Sequence, residues 1–167
     1  LTIPGATGDE LWMFGGQGLS YSDDTWLARY VGPPGSGPHA YEWRRATGLV
    51  RPSGRRGALA VYDSTRRVVF LYGGLSRTGV RLPDAWEFDV QSMQWRLVSD
   101  QVHTGWNTSV QCAAFHPATG EIFAFFGNRL NSDTGDGDSG LGVHRWLGTR
   151  WEWLGTPGPG PDWWARI

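Results

Sequence analysis

Three short apolar runs, each ending in a glycine turn, recur along the chain and constrain its fold more than any other feature. Leu11-Trp12-Met13-Phe14-Gly15-Gly16 resembles Val69-Phe70-Leu71-Tyr72-Gly73-Gly74, and both resemble Phe123-Ala124-Phe125-Phe126-Gly127-Asn128. The runs begin at positions 11, 69 and 123, so successive copies lie 58 and 54 residues apart. Each run predicts a strand that ends in a tight turn, and self-similarity at such a period indicates a repeat architecture.

Two tryptophan signals follow each run. Asp24-Thr25-Trp26, Asp84-Ala85-Trp86 and His144-Arg145-Trp146 place their tryptophans 60 residues apart both times. Glu42-Trp43-Arg44, Gln94-Trp95-Arg96 and Arg150-Trp151-Glu152 come later in the three units, and residues 57–63 and 111–116 supply one more strand before the second and third runs. Each unit therefore predicts four short strands in about 50 to 60 residues, the size of a propeller blade. We expect the repeated tryptophans to fill the space between neighbouring blades.

The composition agrees with an all-β fold made of short elements. A length of 167 residues suits one domain, and 40% apolar residues against 19% charged ones leave enough material for a core. The 25 glycines and 10 prolines indicate many tight turns, so we do not expect long helices.

The double glycine after an apolar strand, followed by Asp-x-Trp and a later Trp, resembles the kelch repeat, and the resemblance covers essentially the whole chain. In the second unit it implies strands near residues 56–62, 67–72, 85–89 and 94–98. The third unit departs from the pattern, because Asn128 replaces the second glycine and His144 replaces the aspartate. Galactose oxidase has a kelch-like propeller too, but its copper ligands and Tyr–Cys cross-link cannot be matched to residues of this sequence.

Three blades raise the question of how a ring closes, since propellers have four to eight. We expect a single propeller segment over 1–167, with blades at about 1–46, 52–99 and 108–154. One hypothesis is a homodimer in which two chains form a six-bladed ring, residues 163–167 of one copy supplying the first strand of the other's first blade. The alternative is a piece cut from a longer propeller, or a segment whose remaining blades belong to a different chain.

Several classes of chemistry find no support in the sequence. The chain has 15 arginines and no lysine, which excludes a phosphate-loop lysine or a Schiff base, and a net charge of −1 does not favour nucleic acid or an anionic membrane. Cys112 is the single cysteine, the four histidines lack metal-ligand spacing, and there is no Gly-x-Ser-x-Gly elbow. The sequence favours a non-catalytic protein over an enzyme. A propeller enzyme acting on a sugar or small molecule is the alternative. The compartment is not determined.

The candidate binding residues lie in loops that a kelch-like blade would place on one rim. They are Arg51, Arg55, Arg77, Arg81, His103, Trp106, Asn107 and Arg129. Arginine suits carboxylates and aromatic rings suit peptides or sugars, so this rim predicts a protein segment or a glycan as ligand. A third possibility is a propeller fragment that self-assembles and has no ligand of its own.

One acidic loop has ligand-like spacing. Asp133, Asp136 and Asp138 lie in a glycine-rich segment and could hold calcium, although the pattern is not that of an EF-hand. The other reading is a solvated turn, and no other cofactor is expected.

Overall fold

Twelve β-strands account for the regular structure of the described residues. The computed structural model describes residues 1–5, 8–33, 40–100, 110–126 and 142–155. The strands are β1 (Thr2–Gly5), β2 (Gly8–Phe14), β3 (Thr25–Tyr30), β4 (Tyr41–Arg45), β5 (Leu59–Asp63), β6 (Val68–Tyr72), β7 (Ala85–Asp89), β8 (Gln94–Ser99), β9 (Val110–His116), β10 (Glu121–Phe126), β11 (Gly142–Trp146) and β12 (Trp151–Gly155). In these residues there is no helix with the length and apolar character needed to cross a bilayer.

The strands form three four-stranded antiparallel sheets, one for each sequence unit. Sheet 1 has the order β1-β2-β3-β4, sheet 2 has β5-β6-β7-β8, and sheet 3 has β9-β10-β11-β12. The predicted all-β class and the four strands per unit are confirmed. The sheets stack in an open row, with sheet 2 in the middle, and this arrangement is compatible with a propeller.

Sheet 1 contains its own first strand. Thr2 pairs with Leu11 and Ile3 with Glu10, and the backbone of Leu1 bonds with Trp12 in both directions, at 2.8 and 3.2 Å. A four-stranded first sheet therefore does not require residues 163–167 of another copy. Those residues lie outside the described part of the chain.

The double glycines make the same turn in sheets 1 and 2. Gly15 and Gly73 have φ values of 71° and 70°, in the left-handed region that favours glycine. The amide of Gly15 donates to the carbonyl of Asp24 at 3.0 Å, and that of Gly73 donates to Asp84 at 3.1 Å. The repeated glycine therefore positions the loop that leads to the Asp-x-Trp motif.

Each sheet has two faces, which we name front and back from the way sheet 2 packs on its neighbours. Its back face, which carries Val69 and Leu71, packs on sheet 1, whereas its front face, which carries Phe70 and Tyr72, packs on sheet 3. The core between sheets 1 and 2 contains Ile3, Trp12, Leu27, Val69, Leu71, Phe88 and Trp95. The core between sheets 2 and 3 contains Leu59, Val61, Phe70, Tyr72, Ala85, Ile122, Ala124, Phe126 and Trp151.

The repeated tryptophans of β8 and β12 fill these cores as the sequence predicts. Trp95 is buried between sheets 1 and 2, where its ring lies 5.2 Å from that of Phe14. Trp151 is buried between sheets 2 and 3, 5.6 Å from the ring of Tyr72. Truncating a buried Trp to Ala typically costs about 3–5 kcal/mol, so these rings contribute much of the stability of the stack.

Sheet 3 differs from the alignment suggested by the glycines. In the hairpin of sheet 3 Glu121 lies opposite His116, and in the hairpin of sheet 2 Val68 lies opposite Asp63. Counted from these pairs, Phe125 is equivalent to Tyr72, whereas the sequence alignment on the glycines matches Tyr72 with Phe126. A register irregularity between Phe125 and Phe126 accompanies this shift. Because a one-residue shift exchanges the two faces of a strand, Phe126 faces sheet 2.

The same shift changes the role of the third Asp-x-Trp equivalent. Trp146 pairs with Trp151 as Phe88 pairs with Trp95, so Trp146 takes the position of Phe88 and not that of Trp86. The glycine and tryptophan positions of the repeat are therefore equivalent in sheets 1 and 2 and displaced in sheet 3.

Candidate functional site

Three segments meet at one end of sheets 1 and 2 and form the described part of the predicted rim. They are residues 15–24, 46–58 and 73–84, and we call them the rim loops. The amide of Gly16 donates to the carbonyl of Arg55 at 3.2 Å, and Arg56 and Leu75 exchange backbone hydrogen bonds of 3.1 and 2.9 Å. The connection between the two sheets is thus bonded to a loop of each.

Arg55 lies at the centre of these loops and is buried, with 1% of its surface exposed. Its Nη1 and Nη2 donate to the two carboxylate oxygens of Asp84 at 2.6 and 2.8 Å. Nη1 also donates to the carbonyl of Gly73 at 3.0 Å, and Nε donates to that of Ser53 at 2.9 Å. The guanidinium of Arg55 is thus enclosed and holds the loops together, and a ligand contact at Arg55 stays a prediction.

Asp84 shows what the Asp-x-Trp motif does in sheet 2. Its carboxylate accepts from the indole Nε1 of Trp86 at 2.6 Å as well as from Arg55. Burial alone would raise the pKa of Asp84, but the hydrogen bonds from Arg55 and Trp86 hold the pKa of this carboxyl below its ordinary value. Removing one partner of such a buried pair typically costs about 3–5 kcal/mol.

An arginine-bearing patch flanks this buried pair. Arg56 lies opposite Leu75, and Leu75 lies opposite Arg81, in isolated antiparallel bridges. Directly opposed residues direct their side chains to the same side, so the two arginines flank one leucine. Arg77 lies at the exposed tip of the same loop, where the amide of Ser76 bonds to the carbonyl of Val80 at 2.9 Å. We call Arg56, Leu75, Arg77 and Arg81 the arginine patch.

The carboxylates of the rim loops are all bound to arginine. Arg51 donates to Asp23 at 2.8 Å, Arg45 pairs with Asp24, and Arg55 pairs with Asp84. Arg51 and Asp23 are both exposed, so their ion pair contributes little to stability. Arg56 and Arg77, by contrast, have no carboxylate partner among the described residues.

The remaining predicted site residues cannot be placed relative to this patch. His103, Trp106, Asn107 and Arg129 lie outside the described residues, as do Asp133, Asp136 and Asp138. In the described ranges, His, Cys, Asp and Glu do not form a group of three or more that could hold a metal ion. The calcium site stays a prediction.

His144 aligns with the aspartate of the motif in the sequence, but in the structure it takes the position of Trp86, because it pairs with Ala124 as Trp86 pairs with Leu71. It is buried in sheet 3, where its ring centroid lies 4.6 Å from that of Phe126. Burial lowers the pKa of His144, although a hydrogen bond between Nδ1 and the carbonyl of Gly142 opposes this effect. This environment favours a neutral imidazole that is packed in the core.

Sequence reasoning missed a second charged site, at the opposite end of sheets 1 and 2. Nη2 of Arg44 donates to both carboxylate oxygens of the buried Glu10, at 3.0 and 2.8 Å, and Arg29 donates to Glu42 at 2.6 Å. These four side chains and Arg67 line a groove between the sheets. The alternation of charge around Trp43, in Glu42-Trp43-Arg44, was the available signal, because alternate residues of a strand share a face.

Comparison with known proteins does not assign this chain to a family. No protein-family model matches the sequence, and the search of curated proteins finds no significant match.

Proposed function

We propose that this chain is a kelch-type propeller segment that acts as a non-catalytic binding module. The equivalent glycine turns of sheets 1 and 2 and the Asp84–Trp86 hydrogen bond support the kelch assignment. The ligand we propose is an acidic, partly apolar segment of a partner protein, bound at the arginine patch.

The position of Arg56 beside Leu75 carries this proposal. The exposed guanidinium of Arg56 offers a site for a carboxylate, and Leu75 offers an apolar contact next to it. Arg77 at the loop tip adds a further cation. An extended peptide in which acidic and aliphatic residues alternate matches this spacing of charge and apolar surface.

The state of the rim carboxylates supports binding over catalysis. General acid–base chemistry needs a group that is available to a substrate proton. Asp23, Asp24 and Asp84 each accept a hydrogen bond from an arginine, so these carboxylates are already engaged by cations of the protein itself. The described rim is thus better suited to recognise a carboxylate than to transfer a proton.

The test uses a fluorescein-labelled peptide of alternating Glu and Leu and the same peptide with Gln in place of Glu. We expect anisotropy to show binding of the Glu peptide, weakened by added salt, and little binding of the Gln peptide. Arg56→Gln should weaken binding about tenfold, since a hydrogen bond to a charged group contributes about 1.5–3 kcal/mol. Arg150→Gln is the matched control, because Arg150 is exposed in the turn between β11 and β12.

Equal binding of the Glu and Gln peptides, or equal loss in Arg56→Gln and Arg150→Gln, would refute the proposal. A glycan array on the same protein tests the sugar-binding alternative. A glycan signal that Arg56→Gln leaves unchanged, without peptide binding, would favour that alternative.

A further inference from the structure

The outer face of sheet 1 is an apolar surface on which no other sheet packs in the described part of the chain. This back face exposes Leu11, Met13 and Trp43, whose exposed fractions are 40%, 45% and 47%. Trp26 lies on the same face, with its ring 6.4 Å from that of Trp43. A contiguous exposed patch of this kind marks an interaction site more often than isolated apolar residues do.

The pairing of strands shows which surface of sheet 2 this patch corresponds to. Leu11 and Met13 precede Gly15 as Val69 and Leu71 precede Gly73, and Trp43 pairs with Ala28 as Trp95 pairs with Phe88. The back face of sheet 1 is therefore equivalent to the back face of sheet 2. In sheet 2 that face is buried against the front face of its neighbour.

The outer face of sheet 3 is its front face, equivalent to the face of sheet 2 that packs on a back face. Ile122, Ala124 and Phe126 point to sheet 2, so by strand alternation Phe123 and Phe125 point away from it. Phe123 and Phe125 are equivalent to Phe70 and Tyr72, which form the front face of sheet 2. Cys112, opposite Phe125, is exposed on this outer face and is equivalent to Leu59.

Both interfaces within the chain follow one rule: the front face of one sheet packs on the back face of the next. It holds between sheets 1 and 2 and again between sheets 2 and 3. Among the three described sheets, the back face of sheet 1 and the front face of sheet 3 are the surfaces that this rule leaves unpaired. They have the chemistry to pack on each other, but they lie at opposite ends of the row.

We propose that the occupant of these faces is a second copy of the chain, with the back face of sheet 1 in one copy packed on the front face of sheet 3 in the other. Two copies related by a twofold axis then form two equivalent interfaces and a ring of six sheets. This inference does not depend on the arginine patch, because neither face contains a residue of the rim loops. The structure itself supplies two examples of the proposed contact.

The first measurement is the mass in solution by light scattering at micromolar concentration. We expect twice the 18.5 kDa mass of one chain. Met13→Glu on the back face and Phe125→Glu on the front face should each reduce the mass to that of a single chain. Leu49→Glu and Leu19→Glu are controls of similar chemistry, because both residues are exposed in loops away from these faces.

Mixing the two face variants distinguishes front-to-back pairing from other dimers. A pair of Met13→Glu and Phe125→Glu chains retains one intact interface, so their mixture should recover part of the dimer. A back-to-back dimer would survive Phe125→Glu and would not be rescued by mixing. Either of those results, or a wild-type mass of one chain, would overturn the proposal.

Cys112 provides a second readout that does not depend on mass. In the proposed ring it is covered by sheet 1 of the other copy, so maleimide should label it slowly in the wild type. Met13→Glu, in a different sheet, should make labelling several times faster, and Leu49→Glu should not. Circular dichroism checks that each variant is folded. If the chain stays single but still binds the Glu peptide, the ring proposal fails and the proposal of binding at the arginine patch does not.

Discussion

Trp95 and Trp151 occupy equivalent positions, but their indole N–H groups have different surroundings. Nε1 of Trp95 donates to Oγ1 of Thr25 at 2.8 Å across the interface between sheets 1 and 2. Nε1 of Trp151 is buried without a hydrogen-bond partner among the described residues. Thr25 pairs with Phe14 as Ala85 pairs with Tyr72, so Ala85 stands where a hydroxyl would be needed.

We therefore predict that Ala85→Ser stabilises the protein. The serine hydroxyl can accept from the indole of Trp151, and a hydrogen bond that satisfies a buried donor contributes about 1 kcal/mol. Urea denaturation followed by tryptophan fluorescence measures the change in the free energy of unfolding. In a Trp151→Phe background the gain should disappear, and a gain that persists there would contradict the explanation.

The predicted binding residues show what the sequence alone can predict at the scale of single residues. It correctly marked the rim segments as arginine-rich, but Arg55 looks the same in the sequence as Arg51 or Arg56. Its burial depends on the connection between sheets folding between two loops, which brings Asp84 to its guanidinium across 29 residues of chain. Such a long-range contact has no local signal, so the sequence did not predict the structural role of Arg55.

At the scale of strands, the sequence predicted strand positions best in sheet 2, where the turn residues and the apolar pattern indicate the same strand limits. In sheet 2 the expected strands near 56–62, 67–72, 85–89 and 94–98 compare with observed strands at Leu59–Asp63, Val68–Tyr72, Ala85–Asp89 and Gln94–Ser99. The face of β10 was not predictable in the same way. Phe125 and Phe126 are chemically identical, and only the hairpin register and contacts with sheet 2 decide which one is buried.

The glycine turns provide a prediction at the same scale. A Cβ at Gly15 would lie 2.7 Å from the carbonyl oxygen of Arg55, whereas at Gly79 it would meet nothing within 4 Å. Both glycines have φ values in the left-handed region, 71° and 79°, where an alanine is strained by about 1–2 kcal/mol. We expect Gly15→Ala to lower the thermal midpoint clearly more than Gly79→Ala.

The difference between these two variants isolates the contact between the loop of sheet 1 and the connection that carries Arg55. Differential scanning calorimetry of both proteins under one buffer condition measures it. Equal losses in the two variants would show that backbone strain alone matters and that the close approach to Arg55 has no energetic effect.

For the whole molecule, the packing of sheet 3 on sheet 2 makes stability depend on pH. His144 lies in sheet 3 beside Phe126, and burial lowers its pKa in the folded state. In the unfolded chain the group titrates near 6.5, so as the pH falls below that value the unfolded state takes up a proton that the folded state does not. Stability should therefore fall as the pH is lowered from 7 until the folded pKa is reached.

We predict that His144→Gln loses less stability than the wild type between pH 7 and pH 5. One group contributes at most about 1.4 kcal/mol per pH unit to this dependence. Urea denaturation at several pH values measures the slope, and His116→Gln, which removes an exposed histidine, is the control. A slope that His116→Gln changes and His144→Gln does not would contradict the assignment.

The enclosed guanidinium of Arg55 also bears on the proposed binding of a ligand at the rim loops. Because one side chain ties the connection between sheets to a loop of the second sheet, the surface beside it is shaped before any partner arrives. Such preorganisation removes the entropic penalty of ordering the receptor, so a partner would lose only its own conformational freedom. A surface of this kind discriminates by fit and is poorly able to remodel itself around unrelated ligands.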